Sequence, residues 1–223
     1  MAPAVSCQIC CRLSRATFLL ALLPLLVQAA PSEEELFFKS VSDVNDGDLH
    51  FLAQVPDRPV HYHQNHIVLS KDSLASGWVK LRQCHYNIDA VPFSQIVYGE
   101  GRIRDLRITR TENIERAWVL DHSVQMENIA PAALICIEAE SRALLNDGEG
   151  RYWLRNGPYM RRFLDGYYPM RVSMSVQYGA SGLRFYGTVP VAQPGFVVQQ
   201  KDSEVGYDTW FEGRLITEIR FIK

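Results

Sequence analysis

Lysine and cysteine are scarce in this 223-residue chain, and no apolar run is long enough to span a membrane as a helix. Beyond residue 30 there are five lysines against sixteen arginines, and acidic residues outnumber both together, so the basic balance of a nucleic-acid binder is absent. The longest apolar run, Ala16 to Val27, holds about a dozen residues where a spanning helix needs about 20. The motifs of common enzymes are missing too. Gly179-Ala180-Ser181-Gly182 lacks the spacing of a nucleophile elbow. There is no phosphate loop, no dinucleotide fingerprint and no HExxH. No low-complexity tract or fixed-period repeat appears.

What is present begins with a leader. Arg12 and Arg15 precede the apolar run, and Val27-Gln28-Ala29 follows it as a small-x-small pattern. This layout predicts a cleavable signal peptide over 1–30 and an exported protein, periplasmic or secreted, with no transmembrane segment once it is removed. Charge shifts with that cleavage: 23 basic against 25 acidic residues gives −2, and loss of Arg12 and Arg15 leaves 21 against 25, or −4. Residues 31–47 then form an acidic lead with Glu33, Glu34 and Glu35.

Cys7, Cys10 and Cys11 fall in the leader, which leaves Cys84 and Cys136. In an oxidising compartment an even pair predicts a disulfide, worth about 4 kcal/mol for a loop of this length; the competing reading is two buried thiols. The 52-residue step resembles the inter-sheet pair of immunoglobulin-type domains. The chain departs from that pattern at once, because no Trp follows Cys84 until Trp118 and Leu134, not Tyr, stands two before Cys136. No family is assigned on it.

The pattern beyond residue 48 is that of strands. Val172, Met174, Val176 and Tyr178 alternate with polar neighbours, Ala133 to Ala139 is apolar nearly throughout, and turn signals such as Asn146-Asp147-Gly148 separate some ten short runs. These predict a mainly β fold, sandwich-like antiparallel sheets with one short helix near 157–165, where Pro158 suits a first turn and Gly166 a stop. A short turn is expected at Ser73 to Gly77. The organisation expected is a β-sandwich-like part over 48–150, an Arg-aromatic helical connector over 151–165 and a C-terminal β part over 166–223, sharing one core with the first if it is too small to stand alone.

Two clusters stand out as candidate sites. His61 and His63 share a strand face, with His66 and His85 as further donors, a pattern that would suit copper, zinc or nickel. The competing reading turns the histidines to solvent and Tyr62 inward. The second cluster is Arg151, Trp153, Arg155, Tyr159, Arg161, Arg162 and Tyr167, where guanidinium forks and aromatic rings suit carboxylates, phosphates or sugars. Its competing reading is structural, with the aromatics anchoring a helix and the arginines paired internally. Glu138 and Glu140 share a strand face as a carboxylate pair, a geometry that hydrolases use. The sequence thus points first to an exported, non-catalytic binding or assembly accessory for an envelope partner protein or an anionic glycan. A metal-binding module and a hydrolase without a recognised motif are the alternatives.

Overall fold

A computed structural model describes residues 47–223. The expected signal peptide, its three cysteines and all but the last residue of the acidic lead lie outside them. The chain runs through β1 (His50–Phe51), β2 (Tyr62–Val68), α1 (Lys71–Ser76), β3 (Trp78–Ile88), β4 (Phe93–Val97), β5 (Ile103–Leu120), β6 (Ser123–Arg142) and β7 (Leu144–Asn146). It continues through β8 (Arg151–Tyr159), β9 (Arg161–Phe163), β10 (Gly166–Tyr168), β11 (Met170–Gln177), a 3-10 turn at Gly179–Ser181, β12 (Arg184–Val189), β13 (Val198–Lys201), β14 (Glu204–Glu212) and β15 (Leu215–Ile222).

A nine-stranded sheet runs β1-β14-β11-β2-β3-β6-β4, with β13 also on β14 and β5 also on β6. Its pairs are antiparallel except β11 with β2. A four-stranded antiparallel sheet runs β12-β15-β8-β7, and β9 and β10 form a separate hairpin. The period-2 pattern dictates how the sheets meet. Met170, Val172, Met174 and Val176 of β11, Val205, Tyr207 and Phe211 of β14, and Leu215, Ile219 and Phe221 of β15 all bury the same alternate face. They join Ile67, Leu81 and Leu154 in one core drawn from both sheets and from both expected β parts. Burying each large side chain stabilises the fold by about 1.5–3 kcal/mol.

β6 continues past β3 and carries a second core, in which Val124, Met126, Ile135 and Ile137 pack with Ile96 of β4 and Ile108 and Ile114 of β5. β5 is a long edge strand, and its row of Arg104, Arg107, Arg110, Glu112 and Arg116 keeps that edge from pairing with another chain. Cys84 and Cys136 are bonded, as expected of the pair, but they lie directly opposite one another on β3 and β6 of one sheet, with Cα atoms 4.1 Å apart. The pair is therefore not the inter-sheet bridge of immunoglobulin-type domains.

The helix expected near 157–165 is replaced by the end of β8 and the β9–β10 hairpin. Gly157 sits at φ 93°, outside the right-handed helical region, and both it and Pro158 belong to β8. Three steps along β8 from Asn156 to Tyr159 match only two along β15 from Thr217 to Leu215. This bulge flips the side-chain parity, so Leu154 and Tyr159 both reach the core. Among the described residues the α-helix that forms is α1, a six-residue piece at the position read as a turn. Ser70 and Ser73 box its start and Gly77, at φ 76°, ends it.

Candidate functional site

The inner face of β2 and β3 changes character along its length. At one end Ile67 faces Leu81 across the strands; the next inward pair is Asn65 with Gln83, and the next His63 with His85. Both strands turn from apolar to polar at the same register. The histidines therefore point into the molecule and Tyr62 points out, where its hydroxyl meets Ser173 at 2.7 Å. This is the reverse of the solvent-facing reading.

His61, His63 and His85 come together. His61 Nε2 lies 3.1 Å from His85 Nδ1, and the rings of His63 and His85 lie 4.1 Å apart between centroids, tilted by 31°. The rings of Tyr159 and His63 meet in a T-shaped contact, 5.0 Å between centroids. One direction of donation satisfies the chain of contacts. His61 Nε2–H donates to His85 Nδ1, and His85 Nε2–H donates to Gln83 Oε1 at 3.3 Å. Gln83 Nε2 donates to Asn65 Oδ1 at 2.8 Å, and Asn65 Nδ2 donates to the Tyr159 hydroxyl at 3.3 Å. Tyr98 adds its hydroxyl to Gln83 Oε1 at 2.5 Å.

Burial holds this network neutral. Desolvation, with a smaller push from Arg161 set against a pull from Asp89, brings His61 down to about 4. Desolvation and then the charge of His61 bring His63 down to about 3. The same burial, with His63 and His61, holds His85 well below the usual imidazole value. Burial raises the Tyr98 and Tyr159 phenols above their usual range.

Opposite this wall the second sheet leaves a gap. β7 pairs with β8 only as far as Leu154, so from Arg155 onward β8 has a strand on one side alone. The gap and the polar wall enclose a cleft of about 630 Å³. Arg102, Arg142 and Arg155 line it, each exposed, and no aspartate or glutamate does. None of the three makes an ion pair among the described residues, whereas eight other arginines do. Among the described residues two buried side-chain nitrogens have no hydrogen-bond partner, His63 Nε2 and Asn156 Nδ2, and both residues line this cleft.

The expected histidine set is only partly assembled. His66 faces the other side of the sheet, with Nδ1 3.1 Å from Ser175 Oγ. Among the described residues no group of three or more His, Cys, Asp or Glu side chains is arranged to hold a metal ion. The Arg-aromatic set is divided as well. Arg155 and Tyr159 reach the cleft. Arg151 pairs with Asp147 and Glu149 in its own turn, and Trp153 lies half-buried on β8 facing Leu145 and Arg220. Arg161 grips Asp89 with two bonds, at 2.6 and 3.2 Å, and Arg162 covers the Tyr167 ring. Glu138 and Glu140 are neutralised by Arg107 and Arg104 on the outer face, which removes them as a free carboxylate pair.

Sequence reasoning missed Asn65, Gln83, Tyr98, Arg102, Arg142 and Asn156. A signal existed in the polar residues at core-facing parity on both strands, but it becomes visible only once the register of β2 on β3 is known.

No protein-family model and no curated protein matches the chain. Among solved structures, a two-domain M1 zinc metallopeptidase mutant bound to L-tryptophan is 9% identical with a TM-score of 0.37, over 80% of this chain and 44% of that one. The M1 zinc metallopeptidase from Deinococcus radiodurans is 9% identical with a TM-score of 0.37, over 80% and 43%. The chain spans less than half the length of these structures, and the likeness is too slight to assign a fold family or a chemistry.

Proposed function

We propose that the protein is an exported, non-catalytic binding accessory whose inter-sheet cleft takes an anionic ligand. The observation that carries this is the charge of the cleft: among the described residues, three lining arginines make no ion pair and no carboxylate lines it. Guanidinium groups left unpaired beside a concave, partly apolar wall are suited to carboxylate or phosphate, by charge-assisted bonds that are stronger than neutral ones. The Arg-aromatic reading survives in Arg155 and Tyr159. The export route is the one predicted from the leader, and the disulfide is compatible with it.

The test is a calorimetric titration of the purified protein with acidic oligosaccharides and inorganic phosphate at low and high salt. Binding that weakens with salt, and weakens at least about tenfold when Arg142→Gln and Arg155→Gln are combined, supports the reading. Binding that is unchanged in that variant, or no binding of any anion, overturns it.

A further inference from the structure

We infer that the anion taken by the cleft is a sugar acid, with its carboxylate at the arginines and its hydroxyls at the polar wall. This rests on the proposed anion-binding role of the same cleft and adds the other half of the ligand. The added observation is independent of charge. His63 Nε2 and Asn156 Nδ2 are buried without a partner, one on the β2 wall and one on the β8 wall of a single cleft. Buried polar groups in native proteins are paired as a rule, and an unpaired one costs stability until something completes it.

The chemistry of the missing partner follows from these two atoms. Asn156 Nδ2 can only donate, so it needs an acceptor. His63, held neutral by its burial, offers one donor and one acceptor nitrogen. A hydroxyl accepts and donates at once and can serve either atom. A carboxylate or phosphate oxygen only accepts, so it serves His63 Nε2 in just one of that ring's two neutral tautomers, and an aliphatic group serves neither atom. In the empty cleft water can fill these positions, and a ligand hydroxyl replaces a bridging water at similar enthalpy. Burial orders the cleft in the same sense. The three arginines are exposed and form the mouth, while Asn65, Gln83 and His85 are buried behind them. Ile67, Leu81 and Met170 line the same space and give the C–H faces of a sugar ring an apolar surface. The volume, about 630 Å³, lies within the range of small-molecule sites.

The experiment is calorimetry of the purified protein with three probes: glucuronate, glucose and inorganic phosphate. The variants are Asn156→Leu and the Arg142→Gln, Arg155→Gln pair, each checked for wild-type melting temperature. The expected result is that glucuronate binds at least about tenfold more tightly than either glucose or phosphate. Asn156→Leu then weakens glucuronate about tenfold and leaves phosphate within about twofold, while the arginine pair weakens both. A ligand hydroxyl on His63 Nε2 also moves that ring's ¹⁵N resonance with glucuronate and not with phosphate, a reading that needs no variant. If phosphate and glucuronate bind equally, and Asn156→Leu and the His63 resonance are indifferent to both, the sugar-acid inference fails and the anion site stands. If the arginine pair leaves every affinity unchanged, or no probe binds, both fail.

Discussion

Acidification should unfold this protein through three buried imidazoles. His61 is brought to about 4 and His63 to about 3 in the folded state, chiefly by burial, and His85 is held lower than usual by the same cause and by its two neighbours. In the unfolded chain each titrates near 6.5. The folded state therefore carries them neutral where the unfolded chain takes up protons. Their stabilising contribution is complete above about pH 6.5 and is lost as the pH falls toward the folded values. The loss is about 1.4 kcal/mol per histidine for each pH unit. Between about pH 6.5 and 5 that is about 2 kcal/mol for each of His61 and His63, or about 4 together, a large part of the roughly 5–15 kcal/mol that holds most domains. Carboxylates ordinarily titrate near or below the bottom of this window, so it belongs mainly to histidine. Urea unfolding followed by tryptophan fluorescence at several pH values in the window gives the slope, and His63→Gln should lower it by about one proton. Stability that is flat across the window, or a slope indifferent to His63→Gln, would refute the reasoning.

Four further outcomes are expected. Cys84→Ala with Cys136→Ala should cost about 4 kcal/mol in denaturant unfolding, the loop-closure entropy of the bridge. Phe221→Ala should cost about 3–5 kcal/mol, because the ring is fully buried against Tyr178 and Phe185. Leu164→Ser should leave stability within about 0.5 kcal/mol, since Leu164 is fully exposed at the β9–β10 turn. Asn65→Leu with Gln83→Leu removes their mutual hydrogen bond but leaves the Tyr159 and Tyr98 hydroxyls and His85 Nε2 without these partners, and should cost about 3 kcal/mol or more while abolishing binding of acidic sugars, measured by melting and by calorimetry.

The β class was legible in the sequence because most strands keep one face in the core. β11 alternates over its whole length, and the expected run Trp78 to Tyr86 falls within β3. The long strands were legible only in pieces. β5 and β6 slip register between Arg104 and Arg107, between Ile108 and Arg110 and between Glu112 and Ile114, and each slip resets the alternation. Asp105, Asn113 and Ala132 take positive φ in these strands, so local pattern reads as interruption where pairing continues. The 151–165 segment failed for the same reason. Its bulge at Gly157-Pro158 breaks period 2, and a broken strand with Pro early and Gly late has the punctuation of a helix. Of the site, the His61–His63–His85 grouping was visible in the sequence, and Arg155 and Tyr159, which line the cleft, were among the residues named. Arg102 and Arg142 were not, since nothing local distinguishes an arginine that lines a cleft from one that pairs with Glu138 on the outer face.

The polar wall is the part of this fold that stability alone does not account for. A sandwich core gains most from apolar pairs, and β2 and β3 supply one in Ile67 and Leu81 before turning to Asn65 with Gln83 and His63 with His85. Each polar pair exchanges bonds with water for bonds within the protein at little net gain, and the histidines add an acid-labile cost. The chain of donors from His61 to Tyr159 is satisfied at every step, yet it leaves His63 Nε2 unpartnered beside it. A wall built only for packing would favour leucine and valine at these four positions. A wall built to present fixed donors and acceptors to something in the cleft needs side chains held rigidly by one another, and this network holds them so. The double leucine replacement at Asn65 and Gln83 loosens this network, and under the second account it loses the ligand even at temperatures where melting shows the fold intact.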